Sequence, residues 1–440
     1  MKITTIGSDL LRTFSPQMEH TSMREKIWIS ILLITIGIAG YALYLQIAYG
    51  HGVTGMRDYV VWGVFIVNFM FLIGLSYAGA IIAGLLHLFR AEWGKPLIRL
   101  AQLMTLASVI VGPLFILLCV GRFDRLHHLF IYPRLQSPLT WDVLAVMTFL
   151  VGSVLFLYLS LIRDFAIYRD SNLNIPKWKH NLYKWLSLGY NGLEKQRKLL
   201  LTSQNLLAII LIPVSIMVAS ILSWIFGMTL RPGWHSTIFG PYFVLGAIYS
   251  GVGLMIVIAW YTRRVYKLEK YITPQHFDYL AYMMLVLAAG YGYFTFSEYF
   301  TSWYGSEKWD SELIRKLFSA DEYGWMTLLT NVFGVVVPII FVAVRKLRTP
   351  DNLFVVAAIM VLAMWIKRYL IVVPTLLTPL LPMQDTRQEF IHYSITWVEW
   401  ALTFGGVALF FLIFTLAGKF ITLIEVAELP REENAKTQNQ

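Results

Sequence analysis

Ten apolar segments, each near or above the roughly 20 residues that a helix needs to cross a bilayer, are separated by polar stretches along the chain. They run over about 27–48, 60–89, 97–120, 138–163, 205–228, 238–262, 276–300, 323–344, 353–375 and 391–423. Runs of this length predict an all-α integral membrane protein with ten transmembrane helices. An even number of spans brings both ends of the chain to one side. The first run lacks a small-residue cleavage site and is expected to be a retained helix rather than a signal peptide.

The longest polar stretch, 164–204, falls between the fourth and fifth spans and divides them into two groups. The second and sixth spans each carry small residues, Gly74, Ala78, Gly79 and Gly84 in one and Gly246, Ser250, Gly251 and Gly253 in the other. Small residues let helices approach closely in lipid. The expectation is two similar four-helix bundles flanked by the first and last spans. Residues 1–59 then hold the N-terminus and first helix, 60–228 the first bundle with its 164–204 loop, 229–375 the second bundle, and 376–440 the last helix and a polar tail. From Pro430 to Gln440 the tail is expected to be disordered.

Composition agrees with the pattern: of 440 residues 57% are hydrophobic and 14% charged, and the mean hydropathy is +0.62. A net charge of +10 would fit a nucleic-acid binder, but its distribution gives another reason. Of the 36 Lys and Arg residues, 25 flank the side shared by the termini and 9 the opposite side, with Lys367 and Arg368 inside a span. The positive-inside rule makes the terminal side cytoplasmic, in a bacterial or archaeal inner membrane, and no nucleic-acid role is needed. The Lys-, Trp- and Tyr-rich loop 164–204 is read as an amphipathic segment on anionic lipid.

Redox chemistry is bounded by the ligands present. A single cysteine, Cys119, excludes an internal disulfide and a four-thiolate iron–sulfur cluster. None of the nine histidines forms a facing pair at mid-membrane depth, as a bis-histidine haem requires. Neither haem nor cluster is therefore expected within this chain, and metal-ligand spacing is absent.

The candidate chemistry gathers at one loop. Between the third and fourth spans the chain reads Val120-Gly-Arg122-Phe-Asp-Arg125-Leu-His127-His128, continues through Tyr132-Pro133, and ends at Ser137-Pro-Leu-Thr-Trp141-Asp142. Ser137 is suited to the N-cap and Pro138 to the first helical position, which places Asp142 about one turn inside the membrane. Burial favours its protonated form and the helix N-terminus its charged form, so the group is suited to taking and releasing a proton. An acid merely paired with Arg122 or Arg125 is the structural alternative. His127 and His128 can hydrogen-bond or relay protons near neutral pH. Glu298, Lys367, Arg368 and Glu399 are further ionisable groups at similar depth, expensive in lipid, and stand as a candidate proton path or as buried ion pairs. Tyr77 and Asn68 of the second span add polar groups beside the first bundle. Arg231-Pro-Gly-Trp234-His235 is expected to be a tight turn with Trp234 at the interface.

At these residues the sequence resembles the polysulfide-reductase membrane-subunit family of NrfD/PsrC type. The likeness is greatest to the branch that includes ActC-like subunits of alternative complex III and the HmcC- and DsrP-like subunits. It rests on VNFMFLIGLSYAG from Val67, GRFDRLHHLFIYPRLQSPLTWD from Gly121, RPGWHSTIFGPYFVLGAIYSG from Arg231, GYGYFTFSEYFTSWYG from Gly290, MWIKRYLIVVP from Met364 and ITWVEW from Ile395. The resemblance implies a subunit that exchanges electrons between the quinone pool, with menaquinone the expected type, and a ferredoxin-like iron–sulfur subunit on the periplasmic face. Multihaem cytochrome c and other membrane subunits would complete the complex. It further implies a quinone pocket formed by Asp142 and the loop before it, with Arg122, His127, His128, Tyr132 and Trp141, and extending to Tyr77 and Asn68. The chain departs from many relatives at Cys119, Phe123, Tyr77 and Lys367, positions associated with proton handling, so the expectation centres on quinone contact and not on pumping. A secondary transporter with midplane charges and a purely structural anchor of a redox complex are the readings from other classes.

Overall fold

The computed structural model describes residues 11, 14, 18–19, 21–121, 125–171, 175–229, 231–378 and 392–426. Among them every regular element is helical, and ten helical stretches are long and apolar enough to cross a membrane. The long helices are α1 (Met23–Tyr49), α2 (Gly63–Leu88), α3 (Lys95–Cys119), α4 (Pro138–Asp170) and, after the short α5 (Lys177–Leu186), α6 (Glu194–Gly227). Then follow α7 (Phe239–Val265), α8 (Pro274–Gly305), the short α9 (Lys308–Phe318), α10 (Gly324–Asn331), α11 (Val337–Ala343), α12 (Pro350–Leu376) and α13 (Trp397–Phe420). Helix starts follow local chemistry. Ser22 and Glu25 form a capping box at α1, Thr396 and Glu399 another at α13, and prolines open α4, α8 and α12. These devices satisfy N–H groups that a helix leaves without partners.

Helix α2 lies at the centre, its apolar stretch almost wholly buried. It packs with α3 and α6, and α4 closes that group by lying against α3 and α6. The second group is α7, α8, α10–α11 and α12. The small residues of α2 and α7 meet across the junction of the two groups. A Cβ added to Gly74 would lie 3.3 Å from that of Ala247, and one added to Gly251 only 2.1 Å from that of Ala78. The small faces thus serve the contact between the groups. Helices α1 and α13 pair with each other and lean on α3 through α13.

On the face that carries the termini, the chain after α13 is buried against the first group. Ile421, Leu423, Ile424 and Val426 are buried there, and Tyr168 Oη accepts from the Thr422 N–H at 3.0 Å. Arg99, grouped with the loops by its sequence position, is buried at this end and paired with Asp164. Helix α5 also differs from the sequence expectation. Lys179 turns inward, where Nζ donates to the carbonyls of Met18 (3.0 Å) and Lys419 (2.7 Å), and Tyr183 donates to Phe420 O at 2.7 Å. Burial holds the Lys179 ammonium below its ordinary pKa. Only the other side of α5, with Trp178 and Trp185, is exposed. The loop between the fourth and fifth spans is therefore partly a packed helix and not wholly a surface segment.

The eighth span is interrupted by a π-helical turn, Val332–Val336, between α10 and α11. Pro338 has no N–H to give to the carbonyl four residues back, which is that of Gly334. Tyr249 of α7 supplies the missing donor, its hydroxyl 2.6 Å from Gly334 O.

Candidate functional site

Asp142 lies on the inner stripe of α4. At spacings of three and four residues, Asp142, Val146, Phe149, Ser153 and Phe156 are buried, while Trp141, Leu144, Met147 and Val151 are exposed on the other side. Ser137 occupies the N-cap in extended conformation without a side-chain cap bond, and Pro138 begins the helix. The carboxylate therefore points into the first group of helices about one turn below its end. Asp142 is 8% exposed, and Oδ1 is buried with no hydrogen-bond partner among the described residues.

Across from it stands Tyr77 of α2, with its ring edge-on to Phe149 at 5.0 Å between centroids. Its hydroxyl is likewise buried and unpartnered among the described residues, and the charge of Asp142 acts on it. Two buried polar oxygens on different helices thus look into the interior of the first group without a partner among the described residues. An unpaired buried polar group costs about 1–3 kcal/mol, so a water or a ligand group that bonds to either oxygen is stabilised there.

Asn68 does not belong to this space. It precedes Tyr77 by nine residues, which at 100° per residue turns it to the opposite side of α2. There Nδ2 donates to Thr403 Oγ1 at 2.8 Å, and Trp365 Nε1 donates to Oδ1 at 2.8 Å. Its role is to join α2 to α12 and α13. Depth in the span resembles that of a pocket residue; direction around the helix does not.

The loop before α4 forms the surface above Asp142. His127 and His128 are exposed and stacked edge to face at 4.4 Å, with Tyr132 next at 5.5 Å from His128. Arg125, His128, Tyr132, Arg134, Ser137 and Thr140 line a cleft of about 320 Å³ at the mouth of the first group. Trp141 donates from Nε1 to Leu135 O at 2.6 Å and fixes the loop to the helix start. His127 makes no bond to Asp142, and no ion pair joins Asp142 to Arg125 among the described residues. Arg122 lies outside the described residues.

The remaining candidates separate into two places. Lys367 donates to Tyr299 Oη and lines a small cavity of about 30 Å³ with Glu298, Trp234, Gly233 and Thr375. Glu298 Oε2 is buried there without a hydrogen-bond partner among the described residues. Arg368, the next residue, points elsewhere, its guanidinium 4.4 Å over the Phe243 ring. Glu399 is fully buried and fully engaged. Oε2 accepts from the N–H groups of Gly55 and Thr396 at 2.9 Å each, and Oε1 from Tyr393 at 2.7 Å. Burial and this carboxylate push the Tyr393 phenol above its ordinary pKa. These donors make Glu399 a helix cap that ties the turn before α2 to α13. Trp234, expected at the interface, is instead 1% exposed; Nε1 donates to Ile371 O at 2.8 Å and its ring stacks on Trp62.

Sequence reasoning missed Phe149, whose ring packs edge-on against Tyr77 from the stripe that carries Asp142. Its place seven residues after Asp142 on the same stripe was the available signal.

A family model described as polysulphide reductase, NrfD, matches residues 52–380, from the turn before α2 to just beyond α12. The chain belongs to this family. Among curated relatives it is similar to a protein of Halobacterium salinarum named as a membrane subunit of dimethyl sulfoxide reductase, 32% identical over 237 residues. That match covers 53% of this chain and about half, 50%, of the relative. The Hdr-like menaquinol oxidoreductase integral membrane subunit of Archaeoglobus fulgidus is 24% identical over 419 residues, 93% of this chain and 96% of the relative. The menaquinone reductase integral membrane subunit of Nitratidesulfovibrio vulgaris is 24% identical over 429 residues, 92% and 94% of the two chains. The family membership and the ten apolar helices make this a multi-pass membrane protein of the NrfD type.

Proposed function

We propose that this chain is the quinone-reactive membrane subunit of an oxidoreductase complex, and that the space between Asp142 and Tyr77 is where the quinone ring binds. The observation that carries the reading is the pair of buried oxygens, Asp142 Oδ1 and the Tyr77 hydroxyl, without hydrogen-bond partners among the described residues on two helices of the first group. A hydroquinone carries two hydroxyls on opposite edges of an apolar ring, which suits two polar groups in an apolar surround. Full-length relatives named for menaquinol and menaquinone chemistry support the same choice and make menaquinone the expected type. Helix α4 has lipid-facing residues Leu144, Met147 and Val151 on its outer side, so a lipid-soluble ring has one helix to pass.

In the oxidising direction the quinol gives up two electrons and two protons and leaves as quinone. Asp142 accepts the two protons in turn and releases each to the cleft above, where His128 and Arg125 stand, the ring turning between the two transfers while Tyr77 bonds to whichever oxygen lies far from Asp142. The electrons go to an iron–sulfur centre of a partner subunit seated on the face formed by the 125–137 loop, and the charge distribution supports this face as the periplasmic one. Reduction of quinone uses the same groups in reverse. Glu298 and Lys367 belong to a separate pocket in the second group, a site for proton movement distinct from the ring.

Asp142→Asn tests the assignment, because the amide keeps the shape and cannot accept the proton. The variant should assemble with its partner subunits yet lose quinol-linked turnover by about 100-fold or more. Full turnover in assembled Asp142→Asn complex would remove Asp142 from the reaction. Co-isolated iron–sulfur absorbance that quinol fails to reduce in the unmodified complex would instead favour a structural anchor.

A further inference from the structure

The turn before α7 meets the start of α9 at the mouth of the Glu298–Lys367 cavity. There His235, Glu307 and Asp310 each bring one nitrogen or oxygen to within 4.8 Å of the others. The far atoms of these side chains set them apart from a surface ion pair. His235 directs Nδ1 at the Arg231 carbonyl, 3.3 Å away, which makes Nδ1 a donor and turns Nε2 towards Asp310 Oδ2 at 3.5 Å. Asp310 is held in the same manner, Oδ1 accepting from the Gly233 N–H at 3.1 Å. Backbone groups that engage the non-binding atom are how metal-bound histidines and carboxylates are oriented. A ring nitrogen facing a carboxylate oxygen holds a proton or a metal cation between them, and the second carboxylate within 4.8 Å adds a ligand for the metal. No lysine or arginine pairs with Glu307 among the described residues, so two carboxylates share one imidazole.

We infer that His235, Glu307 and Asp310 bind a divalent cation of the zinc type. One imidazole and two carboxylates are a borderline-hard donor set, and bonds of about 2.0–2.2 Å require the three atoms to close by roughly an ångström. Glu307 is exposed at the N-cap of α9 and makes that movement by side-chain rotation. Water completes the shell. The other end of α9 is already tied down, Lys316 Nζ donating to Leu377 O at 2.9 Å and Thr378 Oγ1 at 3.0 Å. A cation at the near end therefore fastens α9 across the cavity at both ends. The site stands apart from any quinone chemistry in the first group of helices.

The test uses the full chain with its co-isolated subunits, purified without a polyhistidine tag and stripped with a chelator. Titration with Co²⁺ should give visible d–d absorption saturating at one equivalent and displaced by Zn²⁺, with Zn²⁺ raising the thermal midpoint. His235→Ala and Glu307→Gln, both at exposed positions, should each weaken Co²⁺ binding about tenfold or more, while His180→Ala on the other face leaves it unchanged. Equal uptake by the two site variants and the unmodified protein, or no d–d absorption in the unmodified protein, would overturn the inference.

Discussion

An unpaired hydroxyl buried in a protein interior is a cost in the empty site and a bond in the occupied one. Tyr77 therefore offers a test whose two readouts move apart. Tyr77→Phe should leave the thermal midpoint unchanged or slightly raised, because no bond to the protein is lost. The same change should raise the quinol concentration needed for half-maximal turnover about tenfold, the worth of one hydrogen bond. A lowered midpoint with unchanged quinol dependence would make Tyr77 a packing residue. Asp142 was legible in the sequence because Ser137, Pro138 and the first apolar turn fix its depth by local rules alone. Its place across the first group from Tyr77 was reached through the resemblance and not from spacing, since it depends on how two helices far apart in the chain are rotated against each other. Asn68 shows the same limit: hydropathy gives depth along a span, and rotation around the axis needs the neighbours. Glu399 was legible as a buried acid, while its donors include Gly55 and Tyr393, which no spacing rule links to it.

Among the elements, the interrupted eighth span shows a local defect repaired by a distant residue. Where Pro338 withholds a donor, the Gly334 carbonyl would remain unsatisfied in lipid, and Tyr249 answers it from another helix. Tyr249→Phe should lower stability by about 1–3 kcal/mol, read as a fall in thermal midpoint in detergent, with the helical content unchanged. An unaltered midpoint would mean that the π turn satisfies itself. Existence and order of all ten spans were legible, because bilayer thickness sets their length and each carries its own apolar run. The added turns of α4 and α6 beyond the apolar core, and the inward side of α5, were not. The end of α4 and the inward side of α5 are held by Lys179, Tyr183 and the segment after α13, which meet only on folding.

The whole molecule depends on two groups of helices meeting through residues without bulk. Gly251 and Ala78 stand where a further side chain has no room. Gly251→Val should lower stability by about 3 kcal/mol and reduce the yield of intact protein, measured by thermal unfolding and size-exclusion in detergent. Gly40→Val, on the open side of α1, serves as the control and should leave both unchanged. The small residues were visible in the sequence, but as a likeness between two spans rather than as the seam joining them. The pairing of α1 with α13 carries a consequence for biogenesis. Helix α1 enters the membrane well before its main neighbour α13 is made, so through the synthesis of everything between them it persists without that partner. Its strongly apolar and unusually lipid-exposed surface suits it to that wait, and the pair closes only when α13 leaves the ribosome.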